Sequence, residues 1–222
     1  VVVSNPLPAT YKLVLNFNGT NEASSPNDFV DSSSYGKKIA SVSGASLSTS
    51  SPALGNAYGL FTSGAYIRIS GGDTDFNLSA TEPWQISFRF AINDKTNNCY
   101  VIKTSEGSGY WRVAVGAGGV SWLSDSGNTC NANFGPEDLV NNTWSALRVS
   151  HDGAGNLRFY KDGAILYSGP NYTGNTVFPI SAFTGGTRLD IGNMVHTAGT
   201  PTIGIEELII QKGGTVTVGN SY

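Results

Sequence analysis

Hydrophobic and polar positions alternate along most of this chain. The plainest case is PWQISFRFAI at 83–92, where Trp84, Ile86, Phe88 and Phe90 share one face of an extended strand. Gln85, Ser87 and Arg89 share the other. Four large apolar side chains on one face need a second layer to cover them, so the pattern predicts two packed antiparallel sheets. Residues 144–168 repeat the theme in WSALRVSHDGAGNLRFYKDGAILYS: three β-prone runs separated by DGAGN and DG. Asp-Gly between such runs predicts a tight hairpin, because its turn needs positive φ and glycine supplies that freely. A three-stranded meander is expected there.

The same period of two predicts a strand at Tyr11–Asn18, with Leu13, Leu15 and Phe17 on one face. Short edge strands are expected at 29–30, 38–42 and 45–47, and a tight pair at 57–61 and 65–69. In the second member of that pair Tyr66 and Arg68 oppose Ile67 and Ile69. A second meander is read at 99–104, 110–116 and 119–124, with further strands at 188–191 and 201–211. Pro136–Leu139 reads as one helical turn. Trp84, Trp111 and Trp144 are expected in the core. The fold class is all-β.

Composition adds the bounds. The 28 glycines and 13% charged residues suit many short strands joined by turns, and 222 residues suit one sandwich domain. We expect a linker or processed segment at 1–10, the domain at 11–213 and a tail at 214–222. A start at Val rather than Met points to a processed or partial chain. With a net charge of −3 and 13 Lys and Arg scattered along the sequence, no basic stripe is visible, so nucleic-acid binding is not expected. No run of 18 apolar residues occurs, so membrane insertion is not expected. Cys99 and Cys130 allow a disulfide, but the meander places them near opposite ends of its strands, roughly 15–20 Å apart.

Several segments, in order, resemble the laminin-G-like family of concanavalin-A-like jelly rolls. These are LVLNFNGTN followed by FVDSSSYGKK, FTSGAYIRI, DTDFNL before PWQISFRF, TWSALRVSHDGAGNLRFYKDG, and GIEELIIQKG. Thr62 and Ala65 stand where acidic residues are usual in that family, and Glu206 where Asp is usual. The resemblance spans about residues 11–213. It implies a two-sheet antiparallel β-sandwich with binding at a concave face or the loop rim. It also implies a structural Ca²⁺ where the first and last strands meet, with Asp31 and Glu206 as the matching positions and oxygen-only ligation. The opening and closing motifs are similar to those of bacteriophage virion proteins, which implies display on a virion surface. A secreted or cell-surface bacterial protein is the alternative.

Catalysis is not expected. A retaining glycosidase needs two carboxylates about 5.5 Å apart on one face, and the related hydrolases' alternating acidic pattern is absent. Glu206 and Glu207 are adjacent and so face opposite ways, and Asp73 and Asp75 sit in a Gly-rich turn. His151-Asp152 lacks a Gly-x-Ser-x-Gly elbow, and His151 is read as a surface strand residue. Glycan binding wants an aromatic platform with planar polar side chains. Tyr110, Arg112 and Trp122 on the second meander, with Asn193 and His196 in a late loop, are the candidates. The expected function is a non-catalytic adhesion module for glycan or a neighbouring virion protein, within a homo-oligomer or larger assembly. The alternatives are a purely structural virion subunit without glycan binding and, less favoured, a degenerate glycoside hydrolase.

Overall fold

The computed structural model describes residues 10–69, 74–78, 81–104, 111–116, 119–124, 129–133, 139–154, 156–170, 188–195 and 201–214, with backbone only for 122–124, 129–133, 167–170 and 193–195. Its strands are β1 (Tyr11–Leu15), β2 (Ile39–Ser48), β3 (Tyr58–Ile69), β4 (Pro83–Ile92), β5 (Cys99–Thr104), β6 (Trp111–Gly116), β7 (Gly119–Ser124), β8 (Thr129–Asn133), β9 (Ser145–Asp152), β10 (Asn156–Lys161), β11 (Ala164–Pro170), β12 (Leu189–Val195) and β13 (Ile203–Lys212). All described pairings are antiparallel.

The strands form a two-layer β-sandwich. The first layer runs β11-β10-β9-β4-β13, with β1 also paired to β13; the second runs β3-β12-β5-β6-β7-β8, with β2 also paired to β3. A short ladder of Ile203–Ile205 on Gly59–Phe61 joins them. Between the layers lie Trp84, Ile86, Phe88 and Phe90, all at 0% exposure, as their alternation requires. Trp111, Ile67 and Ile191 meet them from the opposite layer. Burying one such side chain is worth about 1.5–3 kcal/mol, which makes this shared interior the main source of stability.

The expected tight pair at 57–61 and 65–69 is instead the single strand β3. Its first half pairs with β13 and its second with β12, while β2 follows along both. Thr62-Ser63-Gly64 bends the strand rather than reversing it. The ladder slips between Ser43 and Ala45, where Gly44 has φ +63° and a Cβ would press on Ala65 at 3.3 Å. That kink lets one hairpin serve both layers. The two pieces expected at 38–42 and 45–47 are likewise one strand, β2.

Both meanders form, and the second gains a strand, β8, that the sequence reading missed. In the 162–163 turn Asp162 has φ 49° and Gly163 φ 82°, the double positive φ of the tightest hairpins. β1 stops at Leu15, sooner than expected, because Phe17 takes φ 55° and turns its ring inward at 3% exposure. The turn expected at Pro136–Leu139 falls mostly outside the described residues.

Two aromatic-ring assignments change. Trp144 is half-buried rather than core, because its indole N–H donates to the Ser51 carbonyl at 3.0 Å while its ring meets Tyr58 edge-on. His151 is buried, not at the surface, and stacks on Trp84 at 5.6 Å. It shares the strand parity of Leu147 and Val149, so it points into the interior. Cys99 is a free, buried thiol. Burial, with a smaller contribution from the Asp94 charge, pushes it up to about 12. Its strand is separated from that of Cys130 by β6 and β7. Three strand spacings amount to about 14 Å, twice the reach of a disulfide.

Candidate functional site: the outer face of the second layer

Alternation decides which side chains leave the interior. In β3, Ile67 and Ile69 are buried and Arg68 lies between them; in β12, Leu189 and Ile191 flank Asp190. In β5, Ile102 and Thr104 flank Lys103; in β6, Trp111 and Val113 flank Arg112. Register then aligns the outward positions. Arg68 stands opposite Asp190, Asp190 opposite Lys103, and Lys103 opposite Arg112. Residues directly opposite across an antiparallel pair share a face. The four therefore form one row across four strands, about 14 Å long at the usual strand spacing.

Asp190 holds the row together. Its carboxylate is 1% exposed and accepts hydrogen bonds from Arg68 Nε at 2.7 Å, Arg68 Nη2 at 3.2 Å and Arg188 Nε at 3.1 Å. The hydrogen bonding of Arg68 to Asp190 raises the Arg68 guanidinium above its ordinary value despite partial burial. Both arginine side chains keep solvent contact, 25% for Arg68 and 38% for Arg188. Two tyrosines support the cations from the same face. The Arg68 guanidinium lies 4.5 Å from the Tyr66 ring centroid, and that of Arg112 lies 4.3 Å from Tyr100. Flattening a guanidinium on a ring fixes its donor fork and adds a cation–π attraction.

Among the sequence candidates, Arg112 lies in this row. Trp122 stands opposite Val113, one position out of phase with Arg112, whose partner is Leu123. Asn193 belongs to β12 rather than to a loop, in the slip between Ile191 and Met194 beside Tyr100. Tyr110 and His196 lie outside the described residues. Tyr66, Arg68, Tyr100, Lys103 and Asp190 were not picked out by sequence. Parity alone showed Tyr66 and Arg68 facing outward; nothing local announced their neighbours.

The two carboxylates matched to calcium are engaged with hydrogen-bond donors. Asp31 Oδ1 accepts from the backbone N–H of Val14 and of Ser33, both at 2.9 Å. Its Oδ2 accepts from the Ser33 hydroxyl at 2.7 Å and the Lys37 N–H at 2.8 Å. Glu206, 1% exposed, receives the Leu54 N–H on both oxygens at 3.0 and 2.9 Å, which ties the 49–57 loop to β13. Burial raises the Glu206 carboxyl, and the Leu54 N–H partly offsets that. Donor hydrogens occupy the positions a cation would need, and no cluster of three or more potential ligands occurs among the described residues. As arranged, this donor set does not fit Ca²⁺.

Two further acidic candidates, Asp152 and Asp75, are also engaged. Asp152 Oδ1 accepts from the N–H of Ala154 at 2.8 Å and of Asn156 at 3.1 Å, closing the DGAGN turn. Burial pushes this carboxyl up, but the Asn156 amide, those N–H groups and Arg158 outweigh it and hold it at about 2. Asp75 is ion-paired with Lys37 at 2.8 Å and Lys12 at 3.4 Å; Asp73 lies outside the described residues. His151 Nδ1 accepts from Gly153 N–H, so this histidine completes a turn.

No family model and no curated protein matches this chain. Solved structures do. One is of botulinum neurotoxin type C, which depends on interaction with two ganglioside molecules to get into cells: TM-score 0.67, 15% identity, over 91% of this chain and 47% of that one. A second is the binding domain of botulinum neurotoxin DC in complex with rat synaptotagmin II: TM-score 0.66, 14% identity, 91% and 48%. A third is the botulinum neurotoxin serotype G binding domain: TM-score 0.65, 15% identity, 89% and 46%. The likeness is one of fold. This chain spans about half the length of each.

Proposed function

We propose that this protein is a non-catalytic binding module that holds a glycan on the outer face of its second layer. The observation that carries the reading is the row Arg68–Asp190–Lys103–Arg112, with Tyr66 and Tyr100 beneath the two guanidiniums. Planar donor forks fixed against rings, on rigid strands, are what recognition of sugar hydroxyl and acid groups requires. The engagement of Asp31, Asp75, Asp152, Asp190 and Glu206 with hydrogen-bond donors or ion-pair partners supports a role without catalysis. The neurotoxin structures, one from a protein that interacts with gangliosides, agree with a binding role for this fold.

The setting we propose is the surface of a phage particle, as a decoration, fibre or tail-associated domain. Support comes from the opening and closing motifs, LVLNFNGTN and GIEELIIQKG. A neighbouring virion protein is the second reading, favoured by Ile165, which is 54% exposed on β11 at the end of the first layer. A glycan array with the intact chain tests the first reading. Specific binding that is lost on Arg112→Ala supports it. Silence on the array, together with self-assembly that Ile165→Asp abolishes, replaces it with the second.

A further inference from the structure

The strand residues of the second layer carry a charge opposite in sign to that of the chain. The whole protein carries −3, from 13 Lys and Arg against 16 Asp and Glu. In strands β2, β3, β5, β6, β7, β8 and β12 the cations are Arg68, Lys103 and Arg112, and the one acid is Asp190. Arg188 adds a fourth cation at the threshold of β12. Asp190 is already shared by two of these arginines beneath the surface, so among these residues the cations outnumber the acid by four to one. The sequence shows no basic stripe because 68, 103, 112 and 188 are far apart along the chain; strand pairing assembles one.

We infer, building on the binding role proposed above, that this face takes an acidic glycan, one bearing carboxylate or sulfate groups. Arg68, Lys103 and Arg112 make the charged contacts, and Asp190 positions Arg68 and Arg188. The chemistry of the face selects this occupant over the other polyanions and over protein. Protein interfaces are centred on exposed apolar or aromatic anchors. Among the described residues, the exposed large hydrophobics Val30, Tyr35, Leu54, Val140 and Ile165 all lie outside these seven strands. Nucleic-acid sites stack bases on open aromatic rings and commonly neutralise about 6–10 phosphates. Here Tyr66 and Tyr100 are covered by guanidiniums, and the cations number four. A guanidinium fork matches a carboxylate or sulfate in two parallel hydrogen bonds, which neutral sugar hydroxyls cannot reproduce.

The test uses two matched pairs that differ only in charge: oligogalacturonate against its methyl ester, and dextran sulfate against dextran. A dT20 oligonucleotide serves as a third polyanion. Affinity is measured by calorimetry on the intact chain. The acidic member of at least one pair is expected to bind about tenfold or more tightly than its neutral partner, in keeping with charge-assisted hydrogen bonds. Raising NaCl from about 0.05 M to about 0.5 M is expected to weaken that binding, since the row is solvent-facing. Lys103→Gln and Arg112→Gln are each expected to lose most of the preference while remaining folded by circular dichroism. Arg158→Gln, on the other layer, is expected to leave the preference for the acidic member unchanged. Equal binding of charged and neutral members overturns the inference and leaves the glycan role standing. Acidic binding unaffected by Lys103→Gln and Arg112→Gln overturns it too, and so does a preference for dT20 over both acidic saccharides. Failure of all four saccharides to bind removes both readings.

Discussion

The two layers share one interior, yet their outer faces treat polar residues differently. On the first layer Gln85, Arg148 and Gln211 are each 8% exposed, and Ser87 and Glu206 are 1% exposed. Three of these groups, Gln85, Gln211 and Glu206, turn toward one another or toward the 49–57 loop. Gln85 donates to Gln211 at 3.4 Å, Arg148 lies 3.8 Å over the Tyr160 ring, and Glu206 clasps Leu54. On the second layer one acid is buried, and its partners are held where solvent reaches them. The lesson is that a buried carboxylate can serve two ends. Glu206 fastens a loop to the fold, whereas Asp190 fixes the direction of positive charges that the fold itself does not need. Buried polar residues on a sheet face therefore have to be judged by what their partners do next.

The largest effect should fall on both faces at once. Phe88→Ala, at the shared core, is expected to cost about 3–5 kcal/mol in urea unfolding and to weaken ligand binding only through lost fold. Asp190→Ala should come next. It leaves Arg68 and Arg188 without their shared acceptor, for about 2–3 kcal/mol, reduced from a fully buried pair because both arginines stay partly solvated. A loss under about 0.5 kcal/mol, the range of an ordinary surface substitution, would show that Asp190 does not hold the row.

Glu206→Gln should act more weakly and through pH. Burial raises the Glu206 carboxyl, so its favourable contribution is complete below the unfolded value of about 4.3 and is lost as pH climbs through the folded value. The stability difference, wild type minus Glu206→Gln, should thus be larger at pH 4 than at pH 7; a reversed slope would refute the burial argument. His151, lowered chiefly by burial, has the opposite sign. Its contribution is present above the ordinary histidine value of about 6.5 and is lost on acidification, so it is common background in both proteins. The smallest expected effect is none. EDTA should leave the melting temperature unchanged, because N–H and O–H donors already fill the Asp31 carboxylate; a drop restored by Ca²⁺ would show a site that these contacts do not reveal.

Much of the fold was legible because local rules govern it. Period-two alternation placed Trp84, Ile86, Phe88 and Phe90 inside, and Asp162-Gly163 set its hairpin. His151 was misread because its polarity was weighed above the parity it shares with Leu147 and Val149. β3 was misread because Thr62-Ser63-Gly64 looks like a turn, and only its long-range ladders show that the strand continues. The candidate site was the least legible part. Arg112 was found from its own strand, but Arg68 and Lys103 gain meaning only through neighbours that come late in the chain.

By itself the sequence determined most of the extended runs, the apolar side of strands such as β4 and the Asp162-Gly163 hairpin, since steric limits and side-chain alternation act over a few residues. Only the tertiary structure decided which strands lie side by side and in what register. Those choices rest on ladders between distant segments such as 66–69 with 189–192, where the fit of two buried faces fixes the pairing. That fit gathered three dispersed cations into one row on an acidic protein.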